Sequence, residues 1–108
     1  MDKLAEVLKR LDATIASRVG GDPAASYTAR LLSDPALAAK KLGEEAIETV
    51  IAAMQDDKDA LAGESADLIY HLMVLLRAKG VDTDAVAARL AAREGTSGLA
   101  EKASRPND

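Results

Sequence analysis

The chain almost lacks the residues that build β-sheet cores. It has no Phe, no Trp and only two Tyr, whereas 23 of its 108 residues are Ala and 14 are Leu. Ala and Leu are among the strongest helix formers, and aromatic and β-branched residues favour strands. The sequence therefore predicts a single all-α domain rather than a sandwich, barrel or parallel sheet. A core filled with alanine buries limited area per chain, which favours self-association.

Helix start and stop signals predict about four main helices and one short helix. An Asp or Ser cap precedes each of them, and glycines follow several of their ends. The predicted segments are Asp2 to Arg18, Ser26 to Leu32, Pro35 to Met54, Asp57 to Lys79, and Asp82 or Thr83 to Gly95. We assign residues 1–95 to one helical domain and residues 96–108 to its C-terminal tail.

The composition also limits the kinds of site and binding partner that this chain can have. The chain has no Cys, which excludes disulfides and thiolate metal sites. Its net charge of −4 and its few aromatic residues argue against nucleic acid as a partner. The longest apolar stretch, Leu68 to Leu76, is interrupted by His71 and is too short to span a bilayer. Because no basic start is followed by an apolar run, we expect a cytoplasmic location and no membrane partner.

Acidic residues cluster in the segment KLGEEAIE. At about 100° per residue, Glu44, Glu45 and Glu48 share a stripe of roughly 100° with Lys41. One interpretation is a solvated acidic face. Repulsion between like charges one turn apart, and the apolar Leu37 at the edge of the stripe, favour a partner for these carboxylates.

A second acidic pair lies on the apolar face of the next long helix. Glu64, Asp67 and His71 fall within about 60° of one another on the helical wheel. Almost the same sector is occupied by Leu61, Leu68, Leu72 and Leu75. Burying an unpaired charge there costs several kcal/mol, so these acids need cations or a metal. His71 either supports Asp67 from outside the metal ligands or is an ordinary packing histidine.

The two acidic pairs have the same spacing. Glu45-x-x-Glu48 and Glu64-x-x-Asp67 lie on consecutive helices, and antiparallel packing would bring four carboxylates to one point. An all-oxygen site of that kind suits Mg²⁺ or Mn²⁺. Buried salt bridges are the alternative, and the available cations are Lys40, Lys41 and Arg30.

Small residues stand beside these glutamates. Gly43 and Gly63 occupy helix positions where glycine costs about 1 kcal/mol. We expect them to let the two helices approach closely enough for their carboxylates to share a cation. The third long helix is apolar on nearly every side from Ala66 to Leu76, and we expect it to be buried against a second subunit.

The pattern EExxE followed by ExxD resembles the all-α nucleoside triphosphate pyrophosphohydrolase (MazG-like) superfamily. Within it, four segments resemble the phosphoribosyl-ATP pyrophosphatase family and together cover most of the chain. They are DATIASRVGGDPAASYTARLL, KKLGEEAIETVIAA, GESADLIYHLMVLL and SGLAEKASR. The resemblance implies a homodimer of four-helix-bundle type. It also implies Mg²⁺-dependent hydrolysis of phosphoribosyl-ATP to phosphoribosyl-AMP and pyrophosphate, the second step of histidine biosynthesis.

The resemblance also implies roles for the acids. The core metal ligands would be Glu45, Glu48, Glu64 and Asp67. Glu44 would be a further ligand or a base that orients water. All five acids are therefore candidate catalytic residues.

A polyanionic substrate also needs basic side chains. Lys41 is the first candidate because it shares the acidic stripe. The further candidates are Arg18, Arg30, Lys40, Lys102 and Arg105. Tyr27 either stacks on adenine or packs within the protein. Lys102, Ser104 and Arg105 either close over the phosphoribosyl end of the substrate or belong to a disordered terminus.

Two other functions fit the same residues. A housecleaning enzyme that hydrolyses non-standard nucleotides would share the acidic motifs. A non-enzymatic dimeric module would use the acids in salt bridges between subunits. Tests of substrate and of metal dependence separate these from the first interpretation.

Overall fold

The computed structural model describes residues 2–95, and these residues form helices joined by turns without any strand. The helices are α1 (Lys3–Ser17), α2 (Tyr27–Ser33), α3 (Pro35–Met54), α4 (Lys58–Ala78) and α5 (Thr83–Ala92). The predicted all-α fold is confirmed, and α3 has the predicted bounds. None of these helices is long and apolar enough to cross a membrane. The predicted C-terminal tail lies outside the described residues.

Polar caps begin every helix, as the sequence predicts. In each case a side-chain oxygen accepts a hydrogen bond from a backbone N–H in the first turn, and such a cap stabilises a helix by about 1 kcal/mol. The caps are Asp2, Ser26, Asp34, Asp57 and Asp82. The predicted ends of α1, α2 and α4 are each one residue from the observed ends. The largest difference is at α5, which stops at Ala92 because residues 93–95 form a turn in which Gly95 has a φ of 79°.

Helix α4 is the centre of the fold, since it packs against α1, α2 and α3. The short turn 55–57 joins α3 to α4, so the two helices form an antiparallel hairpin. The buried core lies where α1, α2 and α3 meet α4, and it consists of Ile15, Leu31, Ala38, Met73 and Val74. This packing fixes the face that α3 presents to α4, and therefore the side chains that the two helices share.

A row of exposed apolar side chains lies on α3. Ile47, Val50, Ile51 and Met54 are 49–79% exposed and follow one another at i, i+3, i+4 and i+7. The sequence had suggested α4 as the helix that faces a second subunit. Within residues 2–95, α4 packs against α1, α2 and α3, and its contact with a second subunit stays a prediction. The apolar row on α3 is a further exposed surface.

Gly43 and Gly63 do not have the predicted packing role. A Cβ atom at either position would meet no atom within 4 Å outside its own turn of helix, as far as residues 2–95 are concerned. Helices α3 and α4 therefore do not need these glycines in order to approach each other. The prediction failed because both glycines point away from the α3–α4 contact, a direction that their position beside a glutamate does not reveal.

Candidate functional site

The α3–α4 hairpin brings three carboxylates together. One oxygen from each of Glu45, Glu48 and Glu64 lies within 4.8 Å of the other two. Glu45 and Glu64 are half-buried and face each other across the hairpin, and Glu48 lies at the exposed edge. We call these three residues the acidic cluster.

Two oxygens of the acidic cluster are buried and unsatisfied. Oε2 of Glu45 and Oε2 of Glu64 are shielded from solvent and have no hydrogen-bond partner among the described residues. Such oxygens are rare in folded proteins, because a buried polar atom without a partner is costly. They are the feature that most clearly distinguishes this cluster from an ordinary acidic surface.

The same surroundings raise the pKa of both buried carboxyls. For Glu45, burial is the main cause, and the charge of Glu48 and a hydrogen bond with it add to the shift. For Glu64, burial again comes first, followed by a hydrogen bond with Glu48 and its charge. A proton shared among these groups is thus favoured in the metal-free protein.

These observations fit a divalent cation better than salt bridges. The predicted alternative required lysine or arginine to neutralise the buried acids. The Nζ atom of Lys41 instead lies 3.2 Å from Oε2 of Glu44, outside the acidic cluster. A set of carboxylate oxygens only, with two of them unpartnered, is the donor set that Mg²⁺ and Mn²⁺ take.

Asp67 and Glu44 lie at the margin of the acidic cluster. Asp67 is exposed and is not one of the three residues whose oxygens converge, but its negative charge raises the pKa of Glu45 and Glu64. Glu44 is exposed and paired with Lys41. The structure thus brings three of the five predicted acids together and leaves the other two beside them.

His71 has a different contact from the one that the spacing suggested. Its ring is buried, and its Nδ1 atom lies 2.7 Å from the backbone oxygen of Asp67, not against the carboxylate. Because a carbonyl oxygen accepts, Nδ1 carries the proton. Nε2 then accepts from the hydroxyl of Tyr27 at 3.0 Å. His71 therefore supports Asp67 through the main chain and links α4 to α2.

Tyr27 lies at the start of α2, beside the acidic cluster. Its ring stacks on Tyr70 with centroids 6.5 Å apart, yet 48% of the residue is exposed. Burial raises the pKa of its phenol, the positive charges of Lys41 and Arg30 oppose that shift, and the charges of Tyr70 and Glu45 reinforce it. Two other predicted substrate-binding residues, Arg30 and Lys41, therefore lie close enough to Tyr27 for their charges to act on it, as does Glu45 of the acidic cluster.

The remaining predicted cations are not placed at the acidic cluster. Arg18 is the exposed C-cap of α1, and its contacts there are made by its backbone. Lys40 is exposed on α3. Lys102 and Arg105, together with Ser104, lie outside the described residues.

Thr49 was missed by the sequence reasoning. Its Oγ1 atom lies 2.7 Å from the backbone oxygen of Glu45 and 3.3 Å from the backbone oxygen of Glu64. The available signal was its position four residues after Glu45, where a threonine commonly donates to the carbonyl one turn earlier. Its second partner, the backbone oxygen of Glu64, belongs to another helix, so the spacing of residues within α3 could not predict this contact.

The large groove of the described chain lies elsewhere. It has a volume of about 660 Å³ and runs between α1, α4 and α5. Its walls are mainly apolar and include Leu8, Ile69, Leu72, Val86 and Leu90. No member of the acidic cluster lines it, so the groove and the carboxylates are separate features.

Comparison with known proteins agrees with the acidic motifs. The family model described as phosphoribosyl-ATP pyrophosphohydrolase matches residues 8–94. A phosphoribosyl-ATP pyrophosphatase of Caulobacter sp. (strain K31) is 71% identical over 99% of this chain and 100% of its own length. Proteins of the same name from Methylobacterium radiotolerans and Azospirillum brasilense are 61% and 57% identical, over 94% and 96% of this chain and 95% and 96% of their own lengths.

Proposed function

Since the chain belongs to the phosphoribosyl-ATP pyrophosphohydrolase family, we propose that it hydrolyses phosphoribosyl-ATP to phosphoribosyl-AMP and pyrophosphate, the second step of histidine biosynthesis. The observation that carries the proposal is the pair of buried, unpartnered oxygens on Glu45 and Glu64. Their neighbour Glu48 completes a site built from carboxylates alone. The family match extends over both helices that supply these residues.

The proposed cofactor is Mg²⁺, which Mn²⁺ can replace. Glu45, Glu48 and Glu64 would hold it, and Asp67 would join them from the margin of the acidic cluster, where its charge already acts on the buried carboxyls. When bound, the cation supplies charge neutralisation for the phosphates and lowers the pKa of a bound water. Without a cation, the same carboxylates repel a nucleotide polyphosphate.

The chain's own side chains position the substrate. Arg30 and Lys41 are cations whose charges act on Tyr27, and they would bind phosphate oxygens. The exposed face of Tyr27 would lie against the adenine or the ribose. Glu44, held by Lys41 at 3.2 Å, would accept a hydrogen bond from the attacking water. We retain Arg18, Lys102 and Arg105 as further candidates for the substrate site.

We also propose that two copies of the chain associate through α3. Soluble monomers rarely expose contiguous apolar patches, and a second copy would cover Ile47, Val50, Ile51 and Met54. On the helical wheel Glu44 and Glu48 both lie along one side of this row, so the dimer interface would border the acidic cluster. A cytoplasmic location stays a prediction from the sequence.

Pyrophosphate release from phosphoribosyl-ATP, with and without Mg²⁺, tests the proposal. We expect release that depends on Mg²⁺ and exceeds release from dUTP, dCTP and ATP under the same conditions. Preference for a non-standard nucleotide would instead support a housecleaning enzyme. Absence of hydrolysis together with no response to metal would support a non-enzymatic module.

A further inference from the structure

Thr49 connects the backbones of α3 and α4 at the level of the acidic cluster. Its single hydroxyl hydrogen is placed between the carbonyl of Glu45, at 2.7 Å, and the carbonyl of Glu64, at 3.3 Å. These are the two residues that carry the buried, unpartnered oxygens. The side chain is half-buried in the hairpin, so little water competes for these bonds.

The acidic cluster needs such a connection. Carboxylates whose oxygens lie within 4.8 Å of one another repel when they are ionised. Repulsion tends to separate α3 from α4 at this level. A hydroxyl that donates to a carbonyl on each helix opposes the separation, and it does so without adding a positive charge that would compete with a metal.

We propose that the Thr49 hydroxyl is a positioning group that holds Glu45 and Glu64 at the separation at which their carboxylates share one divalent cation. This inference rests on the proposed function, since it concerns the same site. Thr49 itself touches neither metal nor substrate in this account. Its effect is therefore expected in metal affinity rather than in the chemical step.

Mn²⁺ binding to Thr49→Val tests the proposal. Valine keeps the shape of threonine and removes the hydroxyl. We expect the affinity for Mn²⁺, followed by the loss of the free-ion signal in electron paramagnetic resonance, to fall about 10–100-fold, as for other partners one step removed from a metal. The Mg²⁺ concentration for half-maximal activity rises by the same factor, while kcat at saturating Mg²⁺ stays near that of the unaltered protein.

Two variants serve as controls. Thr49→Ser keeps the hydroxyl and loses only a methyl group, so it is expected to restore Mn²⁺ affinity. Ser33→Ala removes a comparable hydroxyl, which donates to the backbone oxygen of Arg30 at 2.9 Å within one helix, and it is expected to change nothing. If Thr49→Val does not fold by circular dichroism, Thr49→Ala removes the hydroxyl with less crowding and replaces it.

The outcomes are distinguishable. Equal Mn²⁺ affinity in Thr49→Val and the unaltered protein would overturn the positioning role and leave the proposed function intact. An equal loss in Thr49→Val and Thr49→Ser would also overturn it, because the methyl group and not the hydroxyl would then matter. If the unaltered protein binds no Mn²⁺ and its activity ignores Mg²⁺, the proposed metal site itself fails, and this inference fails with it.

Discussion

Replacing Tyr27 by Phe tests the link between α2 and α4. The change keeps the ring on Tyr70 and removes the hydroxyl that donates to Nε2 of His71 at 3.0 Å. His71 is only 6% exposed, so water cannot replace the lost donor. A buried polar atom left without its partner costs about 1–3 kcal/mol. In a chain of this size, 1 kcal/mol corresponds to about 4–8 °C in Tm.

Urea denaturation of the metal-free protein measures this loss of stability. Repeating the measurement in a His71→Leu variant isolates its cause. In His71→Leu the acceptor is already absent, and the half-exposed Tyr27 hydroxyl can reach solvent. We therefore expect Tyr27→Phe to lower the free energy of unfolding by about 1–3 kcal/mol in the natural protein. In the His71→Leu variant the same change should lower it by less than about 0.5 kcal/mol. A cost below about 0.5 kcal/mol in the natural background, or the same cost in both backgrounds, would refute the reasoning.

Three further predictions concern charge, helix propensity and association. The Tm of the protein in EDTA falls as pH rises from the ordinary carboxyl pKa of 4.5 through the raised values, since folded Glu45 and Glu64 keep their protons longer than the unfolded chain does. Glu64→Gln should make the Tm less dependent on pH, and an unchanged slope of Tm against pH would contradict this prediction. Gly63→Ala raises the free energy of unfolding by about 0.5–1 kcal/mol in urea titrations, because its Cβ meets no atom within 4 Å among the described residues. Ile47→Glu shifts the protein toward monomer in sedimentation velocity, and a variant that stays dimeric argues against the α3 interface.

Local signals in the sequence were sufficient for the helices. Asp34 followed by Pro35 fixes the start of α3, and Asp57 fixes the start of α4, because an N-cap and its first turn are adjacent in the chain. The acidic cluster was also predictable, since a short turn between two helices forces antiparallel packing.

Contacts between distant residues were not predictable in the same way. Tyr27 and His71 are 44 residues apart, and no periodicity connects them. The sequence also could not show that Asp67 remains exposed or that Gly63 faces away from α3, because both depend on the rotation of α4 about its axis. Side-chain direction, rather than helix position, is the information that the structure adds.

The central claim is that the acidic cluster binds the divalent cation required for hydrolysis, and the activity of Glu48→Gln tests it most directly. Initial rates of pyrophosphate release from phosphoribosyl-ATP at saturating Mg²⁺ are compared with those of Asp12→Asn, which removes an acid paired with Arg77 outside the cluster. We predict that the rate of the Glu48→Gln variant is lower by at least about 10–100-fold, which is the loss typical of mutating a residue that only hydrogen-bonds to a metal ligand. Asp12→Asn should keep its rate. Full activity in a folded Glu48→Gln protein would contradict the account.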